Sequence, residues 1–335
     1  MQSPLMSNTP AHPVPGSMPP GMDVATGSGS SPVDALDATR RNPHASLAGF
    51  RQMPWSRMLG TGVVWLVCGL FAYFVWSFFN GGYHGIDTHA YWLTARHTDP
   101  YGDSPGTRGA YLYSPAFAAA IWPIAHLPWT AFVTIWMLAE AAAFVWLLIP
   151  LGWRWGIPLF GLCTVEVVVG NIYAFLAVVA VVGVRRPALW ALPLLTKITP
   201  GLGPIWFAVR RDWRALAWSL GATAMIACAS FLLAPHMWFE WARFLLTNQR
   251  NGQWFLPLRV AGAVLLTIFA ARKNKAWLLA PAMLLANPMV FNSWMALTLL
   301  SSIPRLRRLR DPSAQPTTAG RPRPLERPSL DQVRS

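Results

Sequence analysis

The sequence predicts an all-α protein that crosses a membrane many times, and three observations carry that prediction. Hydrophobic residues make up 54% of the 335-residue chain and charged residues 12%, about half the charged share of an average soluble domain. Residues 58–79 contain no charge, and about 22 residues are enough to span a ~30 Å hydrocarbon core. The 19 tryptophans suit membrane–water interfaces, where the indole ring is apolar and its N–H is wet.

The formal charge of +14 does not indicate nucleic acid. The basic residues fall in short clusters between apolar segments and in a C-terminal tail, the positive-inside pattern of cytoplasmic loops. Cys68, Cys163 and Cys228 lie far apart inside apolar runs. They read as small buried hydrophobes rather than as a disulfide or zinc framework.

Residues 1–57 are rich in Pro, Gly, Ser and Met and are expected to be a disordered tail. The tail is too long and polar for a signal-peptide n-region, and no small-residue cleavage pattern follows Phe79. Arg40, Arg41, Arg51 and Arg57 precede the first span, which places the N-terminus in the cytoplasm and the polar interval 80–114 outside. That interval carries Asp87, Asp99 and Asp103, with His84, His89 and His97. Apolar segments 115–127 and 128–149 follow, parted only by the turn-like His126-Leu-Pro128. A third region runs to Val184 and is interrupted at Gly170-Asn171. Residues 188–209 are broken by Lys197-Ile-Thr-Pro200, and 215–234 form an ordinary span. A second polar interval, 236–257, precedes a span at 258–271. Residues 276–303 are apolar but interrupted by Asn287-Pro288 and Asn292. From residue 304 the chain becomes basic and Pro-rich, as expected of a disordered cytoplasmic tail. The membrane domain is thus expected over 58–303.

If the clusters at Arg185, Arg210 and Arg272 are all cytoplasmic, residues 188–209 must go out and return. Each arm is then about ten residues, ~15 Å of helix or half a bilayer. The Lys197–Pro200 break becomes the apex of that hairpin, and the same parity makes Asn287-Pro288 an outward apex. Broken helices at membrane depth are tolerated only where the backbone lines a cavity or is buried in protein. These breaks are therefore expected to surround a cavity beneath the first outer loop. Gly170-Asn171 marks either another hairpin or the kink of one long span, so about eight to eleven crossings are expected.

Asp87 opens a segment able to form a short helix on the membrane. It reads either as the N-cap of that helix or as a general base for a hydroxyl acceptor. Tyr91, four residues on, shares its helix face. Lys197 has no other charge near it in sequence. It snorkels to an interface, pairs with Glu166, or holds the phosphate of a lipid carrier. Arg96, Arg108, Arg243 and Arg250 lie in the outer intervals, against the positive-inside trend. They read as sites for anionic head groups or phosphates, or as solvated charges. The histidine spacing does not make a metal site, and HExxH, P-loop and GxGxxG motifs are missing. No Asp-x-Asp pair occurs in the outer intervals, so no metal-bound nucleotide sugar, no metal and no cofactor are expected.

Four pieces stand in order: Asp87-x-x-x-Tyr91; Pro100-Tyr101 with Tyr111-Leu-Tyr113-Ser-Pro115; Gly170-Asn171; and Lys197-x-x-Pro200 with Arg210-Arg-Asp-Trp-Arg214. Together they resemble glycosyltransferase family 87, polyprenyl-phosphate-sugar-dependent enzymes of the C-type membrane glycosyltransferase fold. That family includes actinobacterial α-mannosyltransferases and an arabinofuranosyltransferase. The resemblance covers about residues 58–303. It implies Asp87 as the catalytic base, Lys197 and Arg250 as donor phosphate-binding residues, and a substrate cavity that includes Tyr91, Tyr113, Asn171 and Asn292. It further implies a polyprenyl-phosphate sugar donor, a cell-envelope glycolipid or glycan acceptor, and inversion at the anomeric carbon. Mannose is the sugar expected first and arabinofuranose second; a non-enzymatic lipid-carrier transporter or inactive scaffold is the reading from another class. The chain departs from the family where a Ser-Pro-x-x-Trp-x-His type segment is common. Residues 287–294 here contain no histidine, and one or two C-terminal helices are expected to be missing.

Overall fold

A computed structural model describes residues 55–79, 84–97, 99–247, 255–288 and 294–309. The chain divides into Met1–Leu59 and Gly60–Ser335. Only residues 55–59 of the first unit are described, as the opening of a helix, and the fold and site belong to the second. Among the described residues all regular structure is helical, as the composition predicts, and the protein is a polytopic helical membrane protein.

Three described helices are long and apolar enough to cross a bilayer alone: Met58–Phe78 within α1 (Trp55–Phe79), Trp129–Leu151, which is α4 (Trp129–Leu148) with the 3-10 turn after it, and α9 (Trp213–Leu233). α1 and α9 bury little of their surface. Leu66, Phe74, Leu232 and Leu233 stand exposed, which suits a lipid-facing helix with every backbone hydrogen bond satisfied internally. α1 lies against α5 (Trp153–Val169), where a Cβ on Gly161 would come 3.1 Å from the Cys68 carbonyl oxygen. That close backbone approach is typical of small residues between membrane helices.

The interior is built from shorter pieces: α6 (Tyr173–Val182), α7 (Ala191–Thr196) after the 3-10 turn Pro187–Trp190, α8 (Gly203–Val209), and α12 (Leu279–Ala286). Leu176, Ala177, Ala180, Trp190, Ala282 and Met283 are buried. Short helices expose backbone groups at membrane depth, so they survive only inside protein. The hairpin of α7 and α8 is closed tightly, because Gly203 packs on Trp190 where a Cβ would come 2.1 Å from the indole ring.

The basic turns gather at one end. Arg210 donates to Asn274 Oδ1 at 2.7 Å, Arg308 to the Pro150 carbonyl at 2.6 Å, and Arg185 and Arg186 share a cleft with Asp212 and Arg214. α4 begins beside His89, whose ring lies 5.1 Å from Trp129, and ends about 30 Å away by helix rise. The two ends are thus separated by one bilayer thickness. α5 returns from the basic end and α6 descends to it again, so the break at Gly170-Asn171 is a hairpin and not a kink. Among the described residues, the pieces that run from one end toward the other are α1, α4, α5, α6, residues 187–196, α8, α9, α11 (Leu256–Arg272), residues 276–286 and residues 294–308; the shortest of them, α6, residues 187–196 and α8, cover only about 10–17 Å by helix rise.

Segment 115–127 is not one of them. Its helix, α3 (Pro115–Ala125), starts where Ser114 Oγ donates to the Leu195 carbonyl. It ends where Arg96 donates to the carbonyls of Ala125 and Leu127. Both ends lie at the site end of the bundle. Arg96, a loop cation in sequence, is therefore a clamp on a helix C-terminus, and its guanidinium also stacks 3.6 Å over Trp92. Pro304 does not end the fold: α13 (Ile303–Arg308) continues, with Leu306 buried and Arg305 stacked 3.8 Å over Trp146.

Candidate active site

At the end away from the basic turns, a cavity of about 350 Å³ is lined by Asp87, Tyr91, Tyr113, Asn171, Tyr173 and Lys197. The turn 106–110 and Met295 complete it. The sequence named five of these residues from segments up to 110 positions apart, and the fold brings all five together. Arg250 and Asn292 lie outside the described residues. Tyr173, Arg108 and Met295 were not expected in the cavity. Tyr173 follows Asn171 by two residues at the start of α6, the one sequence signal that it faces the same elbow.

The cavity floor is set by a short helix, α2 (Ile86–Leu93), locked onto the α5–α6 elbow. Gly85, not Asp87, is the N-cap, with left-handed dihedrals of φ 66° and ψ 32°. Its N–H donates to the Val168 carbonyl at 2.7 Å. One turn on, Thr88 Oγ1 donates to the Gly170 carbonyl at 3.0 Å. Gly170 is required: its φ is +75°, and a Cβ would fall 1.6 Å from Thr88 Oγ1. With the cap role filled by Gly85, Asp87 in the first turn is free to face the cavity.

Asn171 Nδ2 donates to Asp87 Oδ2. Its Oδ1 accepts the Ile172 N–H at 2.7 Å and faces the Tyr113 hydroxyl at 3.5 Å. Donors on one side and acceptors on the other fix the amide in one orientation. Tyr91 donates to Tyr113 at 3.0 Å, and Tyr173 donates to Asn287 Oδ1 at 3.1 Å. Burial pushes the Tyr113 phenol up to about 12, so it remains a hydroxyl at neutral pH. Burial also raises the Asp87 carboxyl above its ordinary value, while Lys197 and the Asn171 hydrogen bond pull it down. A base improves as its pKa climbs toward the working pH.

Lys197 caps α7 and holds its ammonium 3.9 Å over the Tyr173 ring and 5.8 Å from the Tyr113 ring. The ion pair with Glu166 is not formed. Glu166 Oε1 instead accepts the Tyr173 N–H at 2.7 Å and so caps α6. An N-terminal helix turn offers unpaired N–H donors, and a buried carboxylate on the preceding helix meets that need.

His89 packs between Trp92 and Trp129 at ring distances of 5.7 and 5.1 Å. Burial, followed by Arg108 and His97, lowers its pKa, so it is a neutral packing element of α2.

A carboxylate and an ammonium line one cavity, held by broken helices at one end of a membrane bundle, and make it the candidate substrate site. A model of glycosyltransferase family 87 matches residues 111–319, more than half of the chain, and the chain belongs to that family. It is a membrane glycosyltransferase with donor and acceptor substrates. The matched segment includes Tyr113, Asn171, Tyr173 and Lys197, while Asp87 precedes it. No curated protein and no solved structure matches the chain.

Proposed function

We propose that the protein transfers mannose from a polyprenyl-phosphate donor to a hydroxyl of a cell-envelope glycolipid or glycan, with inversion. The observation that carries this reading is the shared cavity of Asp87 and Lys197, one carboxylate and one ammonium. Asp87 takes the proton of the acceptor hydroxyl. The acceptor oxygen attacks the anomeric carbon, and the bond from that carbon to the phosphate oxygen breaks. A β-linked mannosyl donor then gives an α-mannoside. A single carboxylate is enough because the leaving phosphate needs no proton, unlike the alkoxide that a glycosidase must protonate with its second carboxyl. Lys197 stabilises the phosphate charge. Tyr91, Tyr113 and Asn171 hold the sugar hydroxyls and the base.

The lipid part of the donor has a suitable place. An apolar cleft of about 400 Å³ is lined by Phe71, Leu159, Leu162, Trp294 and Leu297. Trp294 adjoins Met295 of the Asp87 cavity in sequence, and this cleft is assigned to the prenyl chain. The positive-inside rule puts the Asp87 end on the outer face of the cell membrane and both termini in the cytoplasm.

The test is transfer of radiolabel from polyprenyl-phosphate mannose in membranes containing the protein. The expected product is sensitive to an α-mannosidase and resistant to a β-mannosidase. Transfer from polyprenyl-phosphate arabinofuranose alone would replace the sugar assignment. No transfer from any polyprenyl-phosphate sugar would overturn the enzymatic reading in favour of a lipid-carrier transporter or scaffold.

A further inference from the structure

The rim of the cavity carries a second cation. Residues 104–110 form an ordered turn: the Thr107 N–H and Oγ1 donate to the Ser104 carbonyl at 3.1 and 2.7 Å, and the Ala110 N–H donates to Thr107 at 3.3 Å. Gly106 and Gly109 have φ of 100° and 92°. A Cβ on Gly109 would come 2.9 Å from Leu93 Cδ1, so glycine lets the turn press directly on the helix that carries Asp87. Gly106, Thr107, Arg108 and Ala110 therefore line the same cavity as Asp87 and Lys197. Arg108 is exposed whereas Lys197 is partly buried, which gives one cation at the mouth and one within.

The proposed reaction gives such a pair a use, because it moves negative charge from Asp87 to the phosphate. The donor phosphate is a diester with one negative charge. As the bond to the anomeric carbon breaks, its electron pair goes to phosphate, and the polyprenyl phosphate leaves as a monoester approaching two negative charges at neutral pH. At the same time the acceptor proton neutralises Asp87. Lys197 matches the charge of the bound donor, and a further cation would stabilise the charge that develops on the phosphate. Contacts that strengthen only in the transition state raise kcat rather than binding. A guanidinium also presents a planar fork suited to phosphate oxygens.

We propose that Arg108 is a catalytic residue that binds the donor phosphate together with Lys197 and stabilises the charge growing on it. This assignment rests on the polyprenyl-phosphate reading above. The experiment compares wild type, Arg108→Ala and Arg108→Lys in steady-state transfer from polyprenyl-phosphate mannose, after size-exclusion profiles establish that all three fold alike. Arg108→Ala is expected to lower kcat by about 100-fold with a much smaller change in KM, and Arg108→Lys to recover part of the loss. Because Arg108 stands at the mouth, added guanidinium ion is expected to restore part of the Arg108→Ala rate and leave wild type unchanged. Inhibition by polyprenyl phosphate is expected to weaken more in Arg108→Ala than donor KM does. If wild type is active and Arg108→Ala keeps its kcat within about twofold, the assignment is overturned while the donor reading stands. A rise in KM alone overturns it too, since that marks uniform binding. An inactive wild type overturns the donor reading and this assignment with it.

Discussion

At the scale of single residues, the proposed chemistry depends on how the surroundings divide between favouring and opposing the charge on Asp87. Burial raises its pKa, while Lys197 and the Asn171 amide lower it. Removing either stabilising group leaves burial less opposed, so the carboxyl holds its proton to a higher pH. A protonated Asp87 cannot act as a base. Asn171→Ala is therefore expected to shift the acidic limb of the kcat/KM profile to higher pH while the alkaline plateau remains measurable. Lys197→Met shifts the same limb in the same direction and adds a loss in kcat from the phosphate. A pH profile superimposable on wild type for Asn171→Ala would show that the amide does not control the base. Asp87 was legible as one of three acids in a polar interval; the residues alone left cap and base open, and the base role came from the family resemblance. The cap reading failed because Gly85 adopts a left-handed conformation that takes the cap position, and a one-dimensional sequence shows nothing of the Val168 carbonyl that its N–H meets.

At the scale of elements, the site stands on the junction of α2 with the α5–α6 elbow. Gly170→Ala places a methyl carbon against Thr88 Oγ1 and forces alanine into a left-handed conformation. Together these are expected to cost about 2–5 kcal/mol and to lower the thermal unfolding midpoint in detergent. In the double variant Thr88→Ala/Gly170→Ala the overlap with Thr88 Oγ1 is removed, while the 3.0 Å approach to the Cβ of residue 88 and the backbone strain persist. It should unfold at a higher temperature than Gly170→Ala alone, despite losing the Thr88 hydrogen bond. A double variant no more stable than the single one would contradict the packing described for this junction. The elbow was readable as a break from Gly170-Asn171, yet whether it was a hairpin or a kink was not. That distinction depends on which end of the bundle holds Arg154 and Arg185, a long-range fact. The path of segment 115–127 was open in the sequence for a similar reason. Its composition is that of a half-span, but Ser114 and Arg96 tie both its ends to the same side.

At the scale of the whole molecule, the distribution of charge foretold the layout well. Parity of the basic clusters implied an out-and-back path for residues 188–209, and the α7–α8 hairpin follows it with Lys197 at the apex. The order of short motifs likewise identified the family before any geometry was known. Arg108 was not singled out in the sequence, where it is one of four loop arginines and the resemblance points to Arg250; the turn through Gly106 and Gly109 is what brings Arg108 to the lining of the cavity that holds Asp87. The orientation of the bundle has its own test. In a Cys228→Ala background, Thr107→Cys is expected to react in intact cells with a membrane-impermeant maleimide, and Lys273→Cys only after permeabilisation. The reverse pattern would put the site on the cytoplasmic face.

The most direct measurement is the rate of mannosyl transfer from polyprenyl-phosphate mannose by Asp87→Asn beside wild type, with donor binding followed in parallel. Loss of a positioned general base is expected to slow transfer by about 10²–10⁴-fold, with donor binding retained because Lys197 is untouched. Transfer by Asp87→Asn at the wild-type rate would contradict the role of Asp87 and, with it, the mechanism built on this cavity.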